Sequence, residues 1–182
     1  MNLALLRQWL SWSENETPSP TDDEDGDSNK LFEPEKRLCE RDYTIIDMLN
    51  SQGHDNVSFC ITDPHLEDNP VIYASGGFLK LTGYDFDDIV GRNCRFLQGP
   101  DTAEEDRQRI SAAIKKEKEC SVNLLNYKKD GTTFVNEFFL TNLRSPKNEL
   151  VYYIGIQVAV AHRGPGQMPE NPGWVYTLGN HV

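Results

Sequence analysis

Residues 120–160 read CSVNLLNYKKDGTTFVNEFFLTNLRSPKNELVYYIGIQVAV. Residue types that favour β-structure, such as Val, Ile, Phe and Tyr, recur in three long runs within this stretch. The predicted strands cover 120–128, 133–143 and 150–160. Asp130-Gly131 lies between the first two runs, and an Asp-Gly pair is the strongest short signal for a hairpin. The stretch therefore predicts three consecutive antiparallel strands.

Upstream of these strands, the pattern predicts two shorter strands and several helices. The strands are expected at 57–62, which ends at the turn pair Asp63-Pro64, and at 71–74. The predicted helical segments cover 77–81, 85–89, 93–97 and 103–116. Two strands, several helices and three further strands predict an α+β fold, with a five-stranded antiparallel sheet and its helices on one face.

Side chains alternate between the two faces of a strand, so the residues of the three long strands can be sorted by parity. One face is apolar but carries three carboxamides, Asn126, Asn136 and Gln157. A buried amide without a partner costs about 1–3 kcal/mol, so these groups must bond the backbone, one another or a ligand. Three amides on one face favour a buried polar ligand, such as a heterocycle edge that alternates C=O and N–H groups.

The opposite face of the three strands is also apolar, although a sheet face that is open to water should be polar. Its residues are Leu125, Tyr127, Val135, Phe139, Leu143, Tyr152, Ile154, Ile156, Val158 and Val160. We therefore expect a cover over this outer face. The cover could be a partner subunit, the helix that precedes the sheet, or the N-terminal segment that contains Trp9 and Trp12.

The flanks of the sheet differ from it in composition, which predicts five regions. Hydrophobic spacing predicts a lead-in helix before the sheet, with Leu38, Ile45, Ile46 and Leu49 on its buried side. The regions are a short amphipathic helix (1–12), an acidic flexible linker (13–34), an N-terminal flanking helix (35–56), the main domain (57–160) and an irregular C-terminal tail (161–182).

Charge and composition exclude several classes of function. The net charge is −11, and residues 14–29 hold seven acidic side chains and no basic one, which disfavours nucleic-acid binding by this chain alone. No run approaches the ~20 apolar residues of a membrane span, and residues 1–12 do not resemble a signal peptide. The four cysteines lack metal-ligand spacing, so no metal site is expected. We expect a cytoplasmic protein, and a nuclear location is also compatible with the sequence.

The ten residues 91–100, GRNCRFLQGP, carry the most specific motif in the chain. Together with DNPVIYAS at 68–75, LNYKKDG at 125–131 and IGIQ at 154–157, they resemble the light-oxygen-voltage (LOV) domains, the photosensory branch of the PAS superfamily. The resemblance covers about residues 57–158, and the strand sequences are similar to those of aureochrome- and phototropin-type domains. It implies a PAS fold that encloses a flavin.

Specific roles follow from this resemblance, position by position. It implies that Cys94 is the thiol that bonds reversibly to flavin C4a after blue light, and that Gln157 is the amide that reorients. The implied flavin-binding residues are Thr62, Asn69, Asn93, Arg95, Leu97, Gln98, Arg107, Ile110, Ile114, Asn126, Asn136, Phe138, Leu140, Gly155 and Gln157. Because no histidine lies within 28 residues of Cys94, a neutral thiol beside a photoexcited ring explains it better than a base-activated nucleophile.

Three positions depart from the family pattern. Ser111 stands where phototropins carry a second phosphate-binding arginine, and Arg107, one turn earlier, either substitutes for it or is a solvated surface residue. Cys60 and Val71 stand where relatives usually carry larger aliphatic residues, and looser packing there is expected to shorten the adduct lifetime. The long helix lacks the insertion that accommodates FAD in some relatives, so FMN is favoured over riboflavin or FAD.

The resemblance implies a blue-light photoreceptor and not an enzyme. Two alternatives are a small flavin-dependent oxidoreductase and a PAS module that binds flavin or a metabolite without signalling photochemistry. The sequence lacks a nicotinamide-binding fingerprint and a catalytic base, which argues against the first, while Cys94 in its full motif argues against the second. The signal is expected to leave through the flanking segments, a homodimer or a partner protein on the outer sheet face.

Overall fold

The computed structural model describes residues 31–53 and 55–160. Its sheet has five antiparallel strands in the order β2-β1-β5-β4-β3, which confirms the predicted α+β fold. The strands are β1 (Ser58–Thr62), β2 (Val71–Ala74), β3 (Cys120–Tyr127), β4 (Thr133–Arg144) and β5 (Leu150–Val160). The helices are α1 (Glu40–Ser51), α2 (Gly76–Thr82), α3 (Phe86–Ile89), a 3-10 helix (Cys94–Leu97) and α4 (Glu104–Lys115).

The last strand in the chain lies at the centre of the sheet. β5 pairs with β4 on one side and with β1 on the other, so Gln157 stands opposite Phe138 of β4 and Ser58 of β1. The β3–β4 hairpin turns through Gly131, whose φ of 84° only glycine adopts without strain. This topology places the carboxamide of Gln157 in the middle of the inner sheet face.

Helix α2 is held against β1 by its capping residue. The Ser75 hydroxyl accepts the Phe78 amide, which satisfies one free N–H of the first helical turn. The same hydroxyl donates to Val57 O at 2.7 Å and accepts the Phe59 amide at 3.0 Å. Gly77 permits this close approach, because a Cβ there would lie 2.6 Å from Val57 O. The connecting helices therefore begin from a fixed point on the sheet.

Helix α1 covers the outer face of the sheet. Its buried residues Ile45, Ile46 and Leu49 pack in one hydrophobic cluster with Ile154 and Ile156 of β5. Of the three covers expected from the sequence, the structure places the lead-in helix there. The far end of this face, at Leu125, Val135, Val158 and Val160, is only partly buried.

The lead-in helix starts later than the sequence suggests. The expectation of helix throughout 35–56 is wrong, because α1 begins at Glu40. The Cys39 amide instead donates to Arg144 O at 2.8 Å, so the preceding segment lies along the end of β4. Asp42, which is fully buried, accepts the Arg144 amide at 2.5 Å and Arg41 Nε at 2.6 Å. A contact with a distant strand thus determines where the helix begins.

The predicted acidic linker ends earlier than residue 34. Phe32 is 7% exposed and packs against the rings of Tyr73 and Tyr152, with centroids 5.3 and 5.9 Å away. Asn50 of α1 donates to Phe32 O at 3.2 Å. Residues 31–34 therefore belong to the folded unit. The remaining predictions for 1–30 and for the tail 161–182 lie outside the described residues.

Tyr127 does not follow the parity of its strand. Its hydroxyl donates to Asp101 Oδ2 at 2.8 Å and accepts the Asp101 amide at 3.1 Å. Its ring lies over Gly99, where a Cβ would come within 2.3 Å of it. Because β3 is an edge strand, this side chain can reach the loop that runs beside the edge, so its prediction as an outer-face residue is wrong.

Within the described part of the chain, no helix is long and apolar enough to cross a membrane.

Candidate functional site

A cavity lies between the inner face of the sheet and the helices, and about 90 Å³ of it is accessible to water. Strands β3, β4 and β5 form the floor, the 3-10 helix forms one wall, and α4 forms another. The lining residues are Cys60, Thr62, Asn69, Asn93, Cys94, Arg95, Leu97, Gln98, Ile110, Ile114, Leu124, Asn126, Asn136, Phe138, Leu140, Tyr153, Gly155 and Gln157.

The side chain of Asn93 stabilises the part of the cavity wall that carries Cys94. Its Oδ1 accepts the Arg95 amide at 3.1 Å and so caps the 3-10 helix. Its Nδ2 donates to Asp68 O at 2.6 Å, and Asn69 O lies 3.4 Å away. Asp68 and Asn69 both have positive φ, at 64° and 49°, a conformation that Asn and Asp tolerate better than most residues. One side chain therefore ties a tight turn to the helix that carries the thiol.

Arg95 stands at the mouth of the cavity with its guanidinium exposed. It forms a two-pronged ion pair with Asp68, in which Nη2 lies 2.8 Å from Oδ1. The hydrogen bond to Arg95 lowers the pKa of Asp68 below its usual value, and the same bond raises the pKa of Arg95. The guanidinium remains a cation at the entrance, where an anionic group of a ligand would meet it.

The inner-face carboxamides of β3 and β4 meet at one end of the cavity. Asn136 Nδ2 donates to Asn126 Oδ1 at 2.9 Å, and Asn126 Nδ2 donates to Leu97 O at 3.1 Å. Both side chains are buried, at 1% and 2% exposure. These hydrogen bonds therefore fix the orientation of both amides at the cavity wall.

Several buried oxygens of the cavity wall lack a partner within the described protein. They are Thr62 Oγ1, Asn69 Oδ1 and Asn136 Oδ1. Leaving a buried polar group unsatisfied costs about 1–3 kcal/mol. Such a cost is explained when the atoms face a ligand that carries hydrogen-bond donors, as the edge of a polar heterocycle does. The lining chemistry therefore fits a flavin ring between apolar walls with amides at its edge.

The thiol of Cys94 lies beside Cys60 of β1, which in turn contacts Gln157 of β5. Its Sγ is 3.5 Å from Cys60 Sγ, and Gln157 Nε2 donates to Cys60 Sγ at 3.6 Å. Ser58 Oγ donates to Gln157 Oε1 at 3.4 Å, so the amide of Gln157 is held from β1 at both ends. The hydrogen bond with Cys94 and complete burial raise the pKa of Cys60 well above its usual value.

Gly155 keeps the floor of the cavity open next to Gln157. A Cβ at this position would lie 2.7 Å from Phe138 Cε2 and 3.2 Å from Gln157 Nε2. Contacts under 3.0 Å do not occur for real Cβ atoms, so any side chain there would displace the Phe138 ring. The absence of a side chain thus lets the ring and the amide share the floor.

The structure brings together all but one of the site residues predicted from the sequence. Arg107 is the exception: it is not in the cavity wall, and its Nε lies 3.1 Å from Glu104 Oε2 on its own helix. Ser111, where the family arginine is missing, is exposed. The role of Arg107 as a phosphate ligand remains a prediction that this side-chain position does not support.

Three lining residues were not in the predicted set. Leu124 and Tyr153 had the correct parity, so the strand alternation that selected the amides also pointed to them. Tyr153 additionally donates its hydroxyl to Ile114 O at 2.8 Å, which fastens α4 over the cavity. Cys60 differed from the family pattern, but no local signal in the sequence indicated its contact with Cys94.

Comparison with known proteins agrees with this architecture. A family model described as PAS domain matches residues 56–159. The light-state structure of the Aureochrome1 LOV domain is 54% identical with a TM-score of 0.57, and it matches over 58% of this chain and 82% of that one. The dark structure of Aureochrome1 LOV is 48% identical with a TM-score of 0.61, over 70% and 90% of the two chains. The chain belongs to the PAS domain family and, within it, to the LOV domains of blue-light photoreceptors.

Curated relatives include proteins much longer than this chain. Phototropin-2 of Oryza sativa subsp. japonica is 47% identical over 113 residues, which are 62% of this chain and 12% of that protein. A blue-light-activated histidine kinase of Brucella abortus is 42% identical over 100 residues, or 55% of this chain and 20% of the kinase. The chain therefore spans a small part of the length of these relatives.

Proposed function

We propose that this chain senses blue light by holding FMN in the cavity, with Cys94 as the reacting thiol and Gln157 as the group that passes on the signal. The observation that carries the proposal is the convergence of the Cys94 thiol and three buried carboxamides on one cavity, with unsatisfied oxygens in its wall. The bound flavin would supply blue-light absorption and the electrophilic C4a atom with which the Cys94 sulfur bonds reversibly.

Each group of residues has a separate task in this function. Asn126 and Asn136 bind the polar edge of the ring, and their mutual hydrogen bond prevents free rotation of either amide. Leu97, Leu124 and Leu140 contribute apolar wall that excludes water. Arg95 and Gln98 line the cavity and would hold the ribityl phosphate of FMN, for which Arg95 would supply the positive charge.

Arg95 favours FMN over riboflavin, because it can bind the phosphate. Arg107 lies outside the cavity wall and does not add a second phosphate contact to this preference. One guanidinium at the mouth can bind a phosphate, but it is exposed and already paired with Asp68. Phosphate binding has to replace that ion pair, which weakens the net gain. We therefore expect FMN to bind more tightly than riboflavin by a modest factor, about tenfold or less for a surface ion contact.

Gln157 connects the cavity to the outer face of the sheet. Its amide is held by Ser58 and Cys60 of β1, while the preceding residue, Ile156, points the other way into the cluster with α1. Reorientation of the amide changes the hydrogen bonds between two central strands. We propose that this change loosens α1, or the partly buried end of the outer face, and so alters a dimer or partner contact.

Absorption spectroscopy tests the proposal directly. Purified protein should be yellow, lose its blue absorption band under blue light and regain it in darkness. Cys94→Ala should keep the colour and abolish the bleaching, while Cys120→Ser, a change at a free cysteine on β3 outside the cavity, should bleach normally. A protein that takes up no flavin, or a Cys94→Ala variant that still bleaches, contradicts the proposal.

A further inference from the structure

The contact between Cys60 and Cys94 is built by two separately anchored elements. Cys60 lies in β1 and is paired on both sides, with Ala74 of β2 and Gly155 of β5. Cys94 is the first residue of the 3-10 helix, whose start is fixed by the side chain of Asn93. Both cysteines are free thiols, and their sulfurs are 3.5 Å apart. The proposed light response uses only one of them.

The two thiols differ in their access to solvent. Cys60 is 1% exposed, whereas Cys94 is half-buried in the wall of the cavity. A soluble oxidant therefore meets Cys94 first. A sulfur–sulfur bond is about 2.05 Å long, so the two sulfurs would have to approach by about 1.5 Å. The residue beside Cys60 on β5 is Gly155, which places no side chain next to the two sulfurs.

We propose that Cys60 and Cys94 are a redox-active thiol pair, which oxidants of the peroxide class convert to an intramolecular disulfide. The disulfide removes the thiol that the light response requires, so the cavity would also be a peroxide-sensitive site. This second consequence, but not the disulfide itself, rests on the proposed function.

The oxidation balances in two steps. The sulfur of Cys94 attacks the peroxide O–O bond, which gives a sulfenic acid and one molecule of water when the oxidant is hydrogen peroxide. The sulfur of Cys60 then attacks the sulfur of Cys94; the S–S bond forms, the S–O bond breaks, and hydroxide leaves with the Cys60 proton as a second water. Two thiols lose two electrons in total, and the peroxide gains them.

Gln157 assists the second step through its contact with Cys60. Burial and the bond to Cys94 keep Cys60 protonated, but an amide N–H directed at its sulfur stabilises the negative charge that develops as the proton leaves. Cys60 thus stays reduced in its buried position until Cys94 has been oxidised. It then intercepts the sulfenic acid before further oxidation to the irreversible sulfinic acid.

Peptide mapping tests the thiol pair without reference to colour. The reduced 182-residue protein is kept in darkness, treated with a slight excess of hydrogen peroxide, alkylated under denaturing conditions and digested without reductant. We expect Cys60 and Cys94 to lose alkylation together, with a cross-linked peptide between them that dithiothreitol releases. Cys60 that stays fully alkylated while Cys94 is oxidised, or a cross-link from Cys94 to Cys39 or Cys120, overturns the proposal.

Two variants and one control refine this test. Cys60→Val, and Cys60→Ser in case the larger side chain prevents folding, should yield no cross-link and should accumulate the sulfinic acid of Cys94. Cys120→Ser should form the cross-link as the unaltered protein does, because Cys120 lies outside the cavity. Sulfinic acid at Cys94 in the unaltered protein, to the same extent as in Cys60→Val, also contradicts the proposal.

The link to light is measured on the same samples. Oxidised protein that holds FMN should keep its yellow colour, lose bleaching under blue light and regain it after reduction. Protein that forms the cross-link but never bleaches, even when reduced, contradicts the proposed light response and supports the thiol pair. Protein that bleaches normally but forms no cross-link contradicts the thiol pair and supports the light response.

Discussion

Replacement of Asn136 by leucine should separate the stability of the protein from its affinity for flavin. The Oδ1 of Asn136 is buried without a partner, which costs about 1–3 kcal/mol in the flavin-free protein. Leucine removes this cost, but it also removes the donor to Asn126 Oδ1, which then becomes unsatisfied at a similar cost. The two changes nearly cancel, so the unfolding free energy of flavin-free protein should change by less than about 1 kcal/mol.

The effect on flavin binding has no such compensation. Leucine offers neither a hydrogen-bond donor nor an acceptor to the ring edge. The ring carbonyl or N–H that faces residue 136 therefore loses its hydrogen-bond partner in a site without water. A loss of about 1–3 kcal/mol corresponds to a roughly 5- to 150-fold weaker affinity. Urea unfolding of the flavin-free protein gives the first quantity, and titration of FMN fluorescence gives the second.

Asn142→Leu is the matched control for this prediction. Asn142 lies on the same strand, is 6% exposed and also has an unsatisfied Oδ1, but it donates to Glu117 O at 2.5 Å and does not line the cavity. The same chemical change there should leave FMN affinity unaltered. An Asn136→Leu variant that binds FMN as tightly as the unaltered protein would refute the reasoning that the orphaned oxygen faces the ligand.

Three further predictions concern packing and charge. Val71→Ile should slow dark recovery, because Val71 is fully buried in the cluster that also contains Cys60 and Cys94, and an added methylene stiffens it; unchanged recovery kinetics argue against this. Ile45→Ala should destabilise the protein by about 2–5 kcal/mol in thermal or urea unfolding, because this side chain of α1 is 1% exposed; a loss below about 1 kcal/mol would mean that α1 is not firmly docked. Lys36→Met should lower stability at neutral pH but not in acid, because Lys36 pairs with the buried carboxylate Asp63.

The pH dependence of the last prediction follows from the direction of one pKa shift. Burial alone would raise the pKa of Asp63, but the hydrogen bonds from Lys36 and His65 outweigh it, and the net pKa is lowered. A carboxyl group with a lowered pKa in the folded state contributes stability above its unfolded pKa of about 4, and this contribution is lost as pH falls through the folded pKa. The unfolding free energies of the two proteins should therefore converge once the pH has fallen below the lowered pKa of Asp63 in the folded state. Parallel curves down to that pH would show that the ion pair is not the cause.

Much of the fold and the position of the site follow from local sequence patterns. Strand alternation is a property of each strand by itself, so parity placed Asn126, Asn136 and Gln157 on one face before any pairing was known. The order of the elements likewise predicted the five-stranded antiparallel sheet, which the structure has. The side chains at the cavity mouth were implied by the resemblance to LOV domains, which the motif around Cys94 carries.

Contacts between distant segments were beyond such patterns. Helix α1 begins at Glu40 because Cys39 bonds to Arg144, and Tyr127 leaves its expected face because β3 is an edge strand beside Gly99. Arg107 is a different case, because it pairs with Glu104 one turn earlier on its own helix, a spacing at which side chains of a helix commonly meet. For the helix start and for Tyr127, the deciding partner lies in a distant segment, and no local pattern encodes its position.

The sequence by itself determined that the chain forms a PAS-type sheet with a thiol and three amides directed at one cavity. Only the tertiary structure decided that a second thiol, Cys60, lies 3.5 Å from the first. Cys60 and Cys94 are 34 positions apart in the chain, and their sulfurs meet because the 3-10 helix packs against β1. A periodic pattern assigns a face to a residue, whereas a distance between two sulfurs depends on how separate elements pack.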